Sequence, residues 1–298
     1  RNARFLVDIL RDNQSINREL GQHYLLDTSV LNAAIEMAGD IAGLHILEIG
    51  CGPGTLTHHL LYAGARVSTI EIDEGSLQHM QIQFAEEIES GFLSLIKGDA
   101  LTVEWPKEID AIIANIPYQI SSPLLDRMQR DCRSIPAVLL VQEEFAERMA
   151  MAIGPLDRGP LGLSLWLDFN IEIGRRVPPS CFSPQPRVHS RVVRLNPLNR
   201  LSSIGSEIDR RMFKQITSQC FTDRRRKLRN LLKRAPRRLS RIPGWHRERW
   251  NGAIQTLKEH PLMDERPDML EPEDWVELCE LIMAVSYTHL TLPTNREV

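Results

Sequence analysis

Between residues 45 and 142, five short runs of near-continuous apolar or β-branched residues recur, with helical patterns in between. They are HILEIG (45–50), RVSTIEID (66–73), LSLIKGD (93–99), AIIAN (111–115) and AVLLVQ (137–142). Runs without polar alternation suit strands covered on both faces, as in a parallel sheet. TLTHHLLYA and SLQHMQIQFAEEI supply the intervening helices. This rhythm predicts a doubly wound α/β sheet. After a helix at about 143–152 and the loop GPLDRGP, two longer strands are expected, LSLWLDFNIEI (163–173) and VHSRVVRLNP (188–197). No helix separates them, which predicts an antiparallel edge.

Near residue 198 the pattern becomes all helix: EIDRRMFKQITSQCF, DRRRKLRNLLKRA, RERWNGAIQTLKEH and PEDWVELCELIMAV. The expected domains are therefore 1–197 and 198–285. The closing SYTHLTLPTNREV (286–298) matches neither pattern; it is read as a non-native tail of cloning or adaptor origin and set aside. The chain opens at Arg1 without a Met, leaving room for residues before it, and no signal peptide is read at its start.

Charge separates the two regions further. Residues 200–250 hold sixteen Lys or Arg against four Asp or Glu, a balance of +12, so the other 247 residues sum to −15. A solvated helix face is the ordinary reading of a charge run. Segregation on this scale instead predicts nucleic-acid contact, centred on DRRRKLRNLLKRAPRRLSR. Apolar runs such as AVLLV are too short to span a bilayer. The five cysteines lack any C-x-x-C pair, which argues against zinc and disulfides and for a reducing cytoplasm.

Chemistry is concentrated at the strand ends. LEIGCGPGTLT places Gly50, Gly52 and Gly54 between a strand and a helix, where glycine permits a tight turn and close approach of a ligand. The G-x-G-x-G spacing is neither the dinucleotide fingerprint nor a Walker loop. Glu71 ends the second strand, where a carboxylate can accept both ribose hydroxyls. Asp99 ends the third, where it can accept an adenine amine; either acid alone could equally serve a turn or an N-cap. Asn115 ends the fourth, so four successive strands deliver polar groups to the edge where open α/β sheets bind ligands.

The stretch NIPY (115–118) has the chemistry for methylating an exocyclic amine. An Asn oxygen and the backbone carbonyl of Ile116 or Pro117 can accept the two amine hydrogens, which favours a pyramidal nitrogen with its lone pair aimed at a methyl donor. Pro117 fixes the turn and Tyr118 stacks on the base. Catalysis of this kind is positioning and electrostatics, with no metal expected.

In combination these motifs resemble the ribosomal RNA adenine dimethyltransferases of the KsgA type, in the archaeal and eukaryotic branch. The resemblance covers about residues 15–285. It rests on LGQHYLLD (20–27), ILEIGCGPGTLT (46–57), IEID (70–73), GDAL (98–101), NIPYQISSP (115–123), VQEEFAERM (141–149), CFSPQPRVHSRVVRL (181–195), CFTDRRRKLRNLL and RPDMLEPEDW. It implies a class I S-adenosylmethionine-dependent methyltransferase fold, Rossmann-like with a seven-stranded mostly parallel sheet, and a smaller all-helical rRNA-binding domain. It implies His23, Leu25, Gly50, Glu71, Asp99 and Asn115 as contacts of S-adenosylmethionine (product S-adenosylhomocysteine). Asn115, Pro117 and Tyr118 become catalytic, with Phe182 facing Tyr118 across the target base. Arg224, Arg225, Arg226, Lys227 and Arg229 become phosphate contacts, with Leu228, Leu231 and Leu232 packed inward.

The implied reaction is dimethylation of two adjacent adenosines near the 3′ end of small-subunit rRNA, on a pre-30S-type particle, by a cytoplasmic enzyme expected to be a monomer. Rival readings are a large-subunit rRNA adenine methyltransferase of the resistance type, a DNA adenine methyltransferase, and an RNA-binding ribosome-assembly factor without catalysis.

Overall fold

A computed structural model describes residues 2–13, 22–152 and 154–288. Nine strands run in chain order among them: β1 (Tyr24–Leu25), β2 (His45–Ile49), β3 (Arg66–Glu71), β4 (Leu93–Lys97), β5 (Ala111–Asn115), β6 (Ala137–Gln142), β7 (Phe169–Val177), β8 (Phe182–Ser183) and β9 (Ser190–Pro197). The chain divides into two compact units, Arg1–Ala150 with Phe169–Leu198 and Met151–Asp168 with Asn199–Val298.

The first unit is built on a seven-stranded sheet of order β4-β3-β2-β5-β6-β9-β7. The five runs from 45 to 142 form its parallel strands, and AIIAN and AVLLVQ coincide with β5 and β6 residue for residue. Ile46, Leu47, Ile112, Ile113, Leu139 and Val141 are buried, as strands covered on both faces require. β9 runs antiparallel to both β6 and β7, giving the expected antiparallel edge. The strand order reverses between β2 and β5, which opens a crevice at their carboxyl ends. A separate ribbon pairs β1 with β8, Tyr24 opposite Ser183 and Leu25 opposite Phe182.

Two expected elements differ. LSLWLD is not strand: a helix spans Pro160–Asp168 and β7 starts at Phe169. The Leu alternation mimics a two-residue period, but Pro160 occupies a first helical position and Leu163 and Leu167, one turn apart, join the core of the second unit. Residues 151–168, which the sequence reading puts in the first domain, therefore cluster with the helical unit. In DRRRKLRNLLKRA only Leu228–Leu231 is helical. Like charges one helical turn apart oppose a longer helix, and the Leu228 N–H donates instead to the Glu265 carbonyl at 2.9 Å.

The second unit packs helices Pro160–Asp168, Arg210–Cys220, Arg247–Thr256 and Pro272–Thr288 around Phe213, Trp250 and Trp275. Leu228, Leu231 and Leu232 are buried in this core. Asp209 caps the second of these helices through the Arg211 and Met212 N–H groups at 2.7 and 3.1 Å. The Trp250 indole donates to the Leu232 carbonyl at 2.9 Å, which ties the basic segment to the core. The last helix runs three residues into 286–298, and the remainder of that tail lies outside the described residues. Among the described residues no helix is long and apolar enough to cross a membrane.

Candidate active site

β2 ends at Ile49 and the chain enters the glycine loop. Gly50 has φ +76° and a side chain there would project into open space, with only the Pro117 ring within 4 Å. Gly54 has φ +82° and precedes the helix Thr55–Tyr62; a Cβ there would collide with Met80 and Phe84. The loop is thus pressed against the fold at one glycine and open to a ligand at another.

Above it lies a cavity of about 1150 Å³, its open mouth included. His23, Leu25, Gly50, Glu71, Asp99, Asn115, Pro117 and Tyr118 all line it. Residues from four separate strand ends and the β1 segment therefore meet at one crevice. Leu20 and Gly21 of the LGQHYLLD motif lie outside the described residues.

Glu71 is buried and heavily bonded. Its Oε2 accepts the Gly52 N–H at 3.0 Å, and its Oε1 accepts those of Ile72 and Asp73 at 2.9 Å each. Burial holds its carboxyl above the usual range despite these three donors. Asp99 accepts the Leu101 N–H on Oδ1 at 2.8 Å, so it shapes a turn while also facing the cavity.

Asn115 is fixed in orientation. Its Nδ2 donates to the His23 carbonyl at 3.1 Å, which leaves Oδ1 as the acceptor. The Pro117 carbonyl is occupied by the Ile120 N–H at 3.1 Å, whereas the Ile116 carbonyl takes no hydrogen bond from the described residues. Of the two carbonyls open at the sequence level, Ile116 is the one left to accept. The Tyr118 hydroxyl bonds the Ser190 hydroxyl at 2.7 Å and its ring stacks on His23, centroids 5.5 Å apart at 29°. Burial raises its phenol pKa. The His23 ring is held in turn by Nδ1 against the Pro184 carbonyl at 2.8 Å.

Phe182 does not join this group. It is 2% exposed, paired with Leu25 and packed in the core of the first unit, outside the cavity lining. The structure does not bring Phe182 into the cavity lining: its ring is buried against the fold, and the ring beside Tyr118 is that of His23.

Further cavity residues escaped the sequence reading, Glu48 and Ile72 among them. Glu48, 1% exposed, accepts the Thr57 hydroxyl at 2.6 Å, and burial pushes its carboxyl up to about 8. The signal was present as an acid inside an otherwise apolar strand. Ile72 is 53% exposed in the cavity wall, directly after Glu71, and offers an apolar floor for a flat base. Open glycine loop, acids at successive strand ends and apolar floor together fit a nucleoside-bearing donor.

A model of the ribosomal RNA adenine dimethylase family matches residues 13–241. The chain belongs to this family. Two relatives, from Haloarcula marismortui and Natronomonas pharaonis, are each named a "probable ribosomal RNA small subunit methyltransferase A". Both are 36% identical to this chain, over 89% and 90% of it and 89% and 93% of their own lengths. Among solved structures, a dimethyladenosine transferase from Plasmodium falciparum is 28% identical with TM-score 0.70, covering 85% of this chain and 95% of its own. The 23S rRNA methyltransferase ErmE is 25% identical with TM-score 0.61, covering 87% and 99%. The fold is that of a class I S-adenosylmethionine-dependent methyltransferase.

Arg224 to Lys227 of this dimethylase chain lie on a turn of the second unit, and Arg229 lies in the short helix Leu228–Leu231 that follows it. Arg225 and Arg226 are exposed, with no ion pair among the described residues. Arg224 lies over the Phe221 ring, 5.2 Å from its centroid. Lys227 and Arg229 both pair with Asp264, Lys227 at 2.8 Å. The five cations are thus unequal.

Proposed function

We propose that this enzyme dimethylates the 6-amino groups of two adjacent adenosines near the 3′ end of small-subunit rRNA, on a pre-30S-type particle in the cytoplasm. When bound, S-adenosylmethionine supplies an electrophilic methyl group. Glu71 is assigned its ribose hydroxyls, Asp99 and Ile72 its adenine, and Gly50, His23 and Leu25 its methionine end.

The observation that carries the reading is the anchored amide of Asn115. With Nδ2 engaged by His23, Oδ1 accepts one amine hydrogen and the Ile116 carbonyl accepts the other. Two acceptors draw the hydrogens to one side and turn the nitrogen lone pair away from the base ring. The base must leave its stack to reach this point, which costs least for a loop adenosine. Tyr118 compensates by stacking, worth about 1–3 kcal/mol per base. With one face of its ring against His23, the base takes the other. The exposed Arg225 and Arg226, with Arg224, serve as phosphate contacts.

Transfer of tritiated methyl groups from S-adenosylmethionine to unmethylated small subunits tests this, with the modified base identified. Dimethyladenosine in small-subunit rRNA is expected. Label confined to large-subunit RNA or DNA, or no label with binding intact, overturns it.

A further inference from the structure

Arg127 has no part in the roles assigned above, yet among the described residues it is a buried cation with several partners. It lies on the helix Ser121–Asp131, which begins directly after the 3-10 turn Tyr118–Ile120. It is 8% exposed. Its Nη1 donates to the Ala100 carbonyl at 2.7 Å and its Nη2 to the Val103 carbonyl at 2.6 Å. Its Nε reaches Asp131 at 3.3 Å, and its guanidinium sits 4.5 Å from the centre of the Trp105 ring. Trp105 donates its own Nε1 to the same Ala100 carbonyl at 3.0 Å.

A guanidinium stays charged, and burying it is unfavourable unless its donors are satisfied. Here Nη1 and Nη2 are satisfied by one loop, the turn that follows Asp99, and Nε by Asp131 on the same helix. That turn holds its own shape: the Leu101 N–H meets Asp99 Oδ1, and the Thr102 and Val103 N–H groups meet the Asp99 carbonyl at 2.9 and 2.8 Å. None of these bonds fixes where the turn sits relative to the Asn115–Tyr118 segment. Arg127 does, because its helix is itself tied to that segment through the Ile120 N–H on the Pro117 carbonyl.

We infer that Arg127 is a positioning residue for the methyl donor. It clamps the Asp99 turn to the helix that follows the amine-binding segment, and so holds Asp99 where it meets the donor's adenine. The inference rests on the reading of Asp99 as the acceptor of the donor's adenine amine. Lysine cannot substitute, since a point donor cannot bridge two carbonyls while lying flat on Trp105.

The test is a double-mutant cycle in the full chain with Arg127→Lys, Asp99→Asn and the pair. Donor dissociation constants come from calorimetric titration, and kcat from small-subunit methylation at saturating donor. Each single change is expected to weaken donor binding on the order of tenfold, as loss of one charge-assisted hydrogen bond does. The pair is expected to bind no more weakly than the worse single variant, because both act through one carboxylate. For Arg127→Lys, kcat is expected to stay within about twofold of the parent, a split that general loosening of the fold would not give.

Full additivity, or unchanged affinity in Arg127→Lys, overturns the inference and leaves the adenine reading standing. Unchanged affinity in Asp99→Asn overturns both. Should Arg127→Lys fail to fold, Trp105→Phe keeps an aromatic ring beside the guanidinium while removing the indole donor to Ala100, at the cost of some buried ring volume. It is expected to weaken donor binding by about threefold, non-additively with Asp99→Asn; no change, or additive loss, overturns the inference.

Discussion

The cavity of the first unit and the basic turns of the second handle charge in opposite ways. Around the cavity, Glu48 and Glu71 are buried, each is bonded at fixed geometry, and burial raises both carboxyls. On the turns, Arg225 and Arg226 stand in solvent, while Lys227 and Arg229 share Asp264. A buried group acts alone and strongly, because nothing nearby can replace it. Exposed cations act as a sum, each screened by salt and each worth little. Recognition of one atom belongs to the first arrangement and attachment to a polyanion to the second.

The comparison breaks first at Asn115. If its oriented oxygen does the positioning, Asn115→Ala lowers kcat by on the order of 10²–10³, the usual cost of a lost oriented polar group at a reacting centre. RNA affinity, measured by filter binding, should be unchanged. A parallel loss of RNA binding would merge the two regions into one function.

Glu48 sharpens it with a pH profile. Unfolded, its carboxyl titrates near 4.5; folded, near 8. Between those values the folded chain holds a proton that the unfolded chain releases, so this contribution is complete below pH 4.5 and is lost as pH rises through 8. Glu48→Gln removes the ionisation. Urea unfolding of the donor-free protein should show the variant more stable than the parent at pH 9, by on the order of 2 kcal/mol, with the gap shrinking toward pH 5. A gap independent of pH would mean that Glu48 is ionised in the folded chain throughout.

For the exposed cations the expected effects are smaller and additive. Arg225→Gln and Arg226→Gln should each weaken RNA binding a few-fold and reduce the slope of log K against log salt by about 0.7–0.9. Methyl transfer at saturating RNA should not change. An effect of either substitution on kcat would place that arginine at the reacting base.

Much of this contrast is legible in the sequence, for identifiable reasons. Parallel strands buried on both faces announce themselves as unbroken apolar runs, and the topological switch then dictates where Gly50, Glu71, Asp99 and Asn115 meet. What the sequence hid was side-chain burial and partnership. Phe182 sits in a recognisable motif, but nothing in its letters shows that its ring is packed inward against the fold. LSLWLD alternates like a strand because a helix with Leu163 and Leu167 on one face can also place Leu between polar neighbours. Local charge cannot show that Asp264, thirty-seven residues beyond Lys227, lies beside it.

That distant carboxylate allows the finest test of the second region. The Lys227 ammonium holds the Asp264 carboxyl below its ordinary range, with Arg229 assisting, so Asp264 stays ionised and offsets part of two cations. RNA phosphates must compete with it. Asp264→Asn removes the competitor and keeps the shape. If the basic turns bind RNA as a sum of charges, this variant should bind about two- to threefold more tightly than the parent, with a salt slope steeper by a fraction of one unit. If Lys227 and Arg229 are instead held by Asp264 to brace the turn, the same substitution loosens it and weakens binding. The sign of one small change therefore decides whether these two residues belong with Arg225 and Arg226 or with the scaffold that presents them.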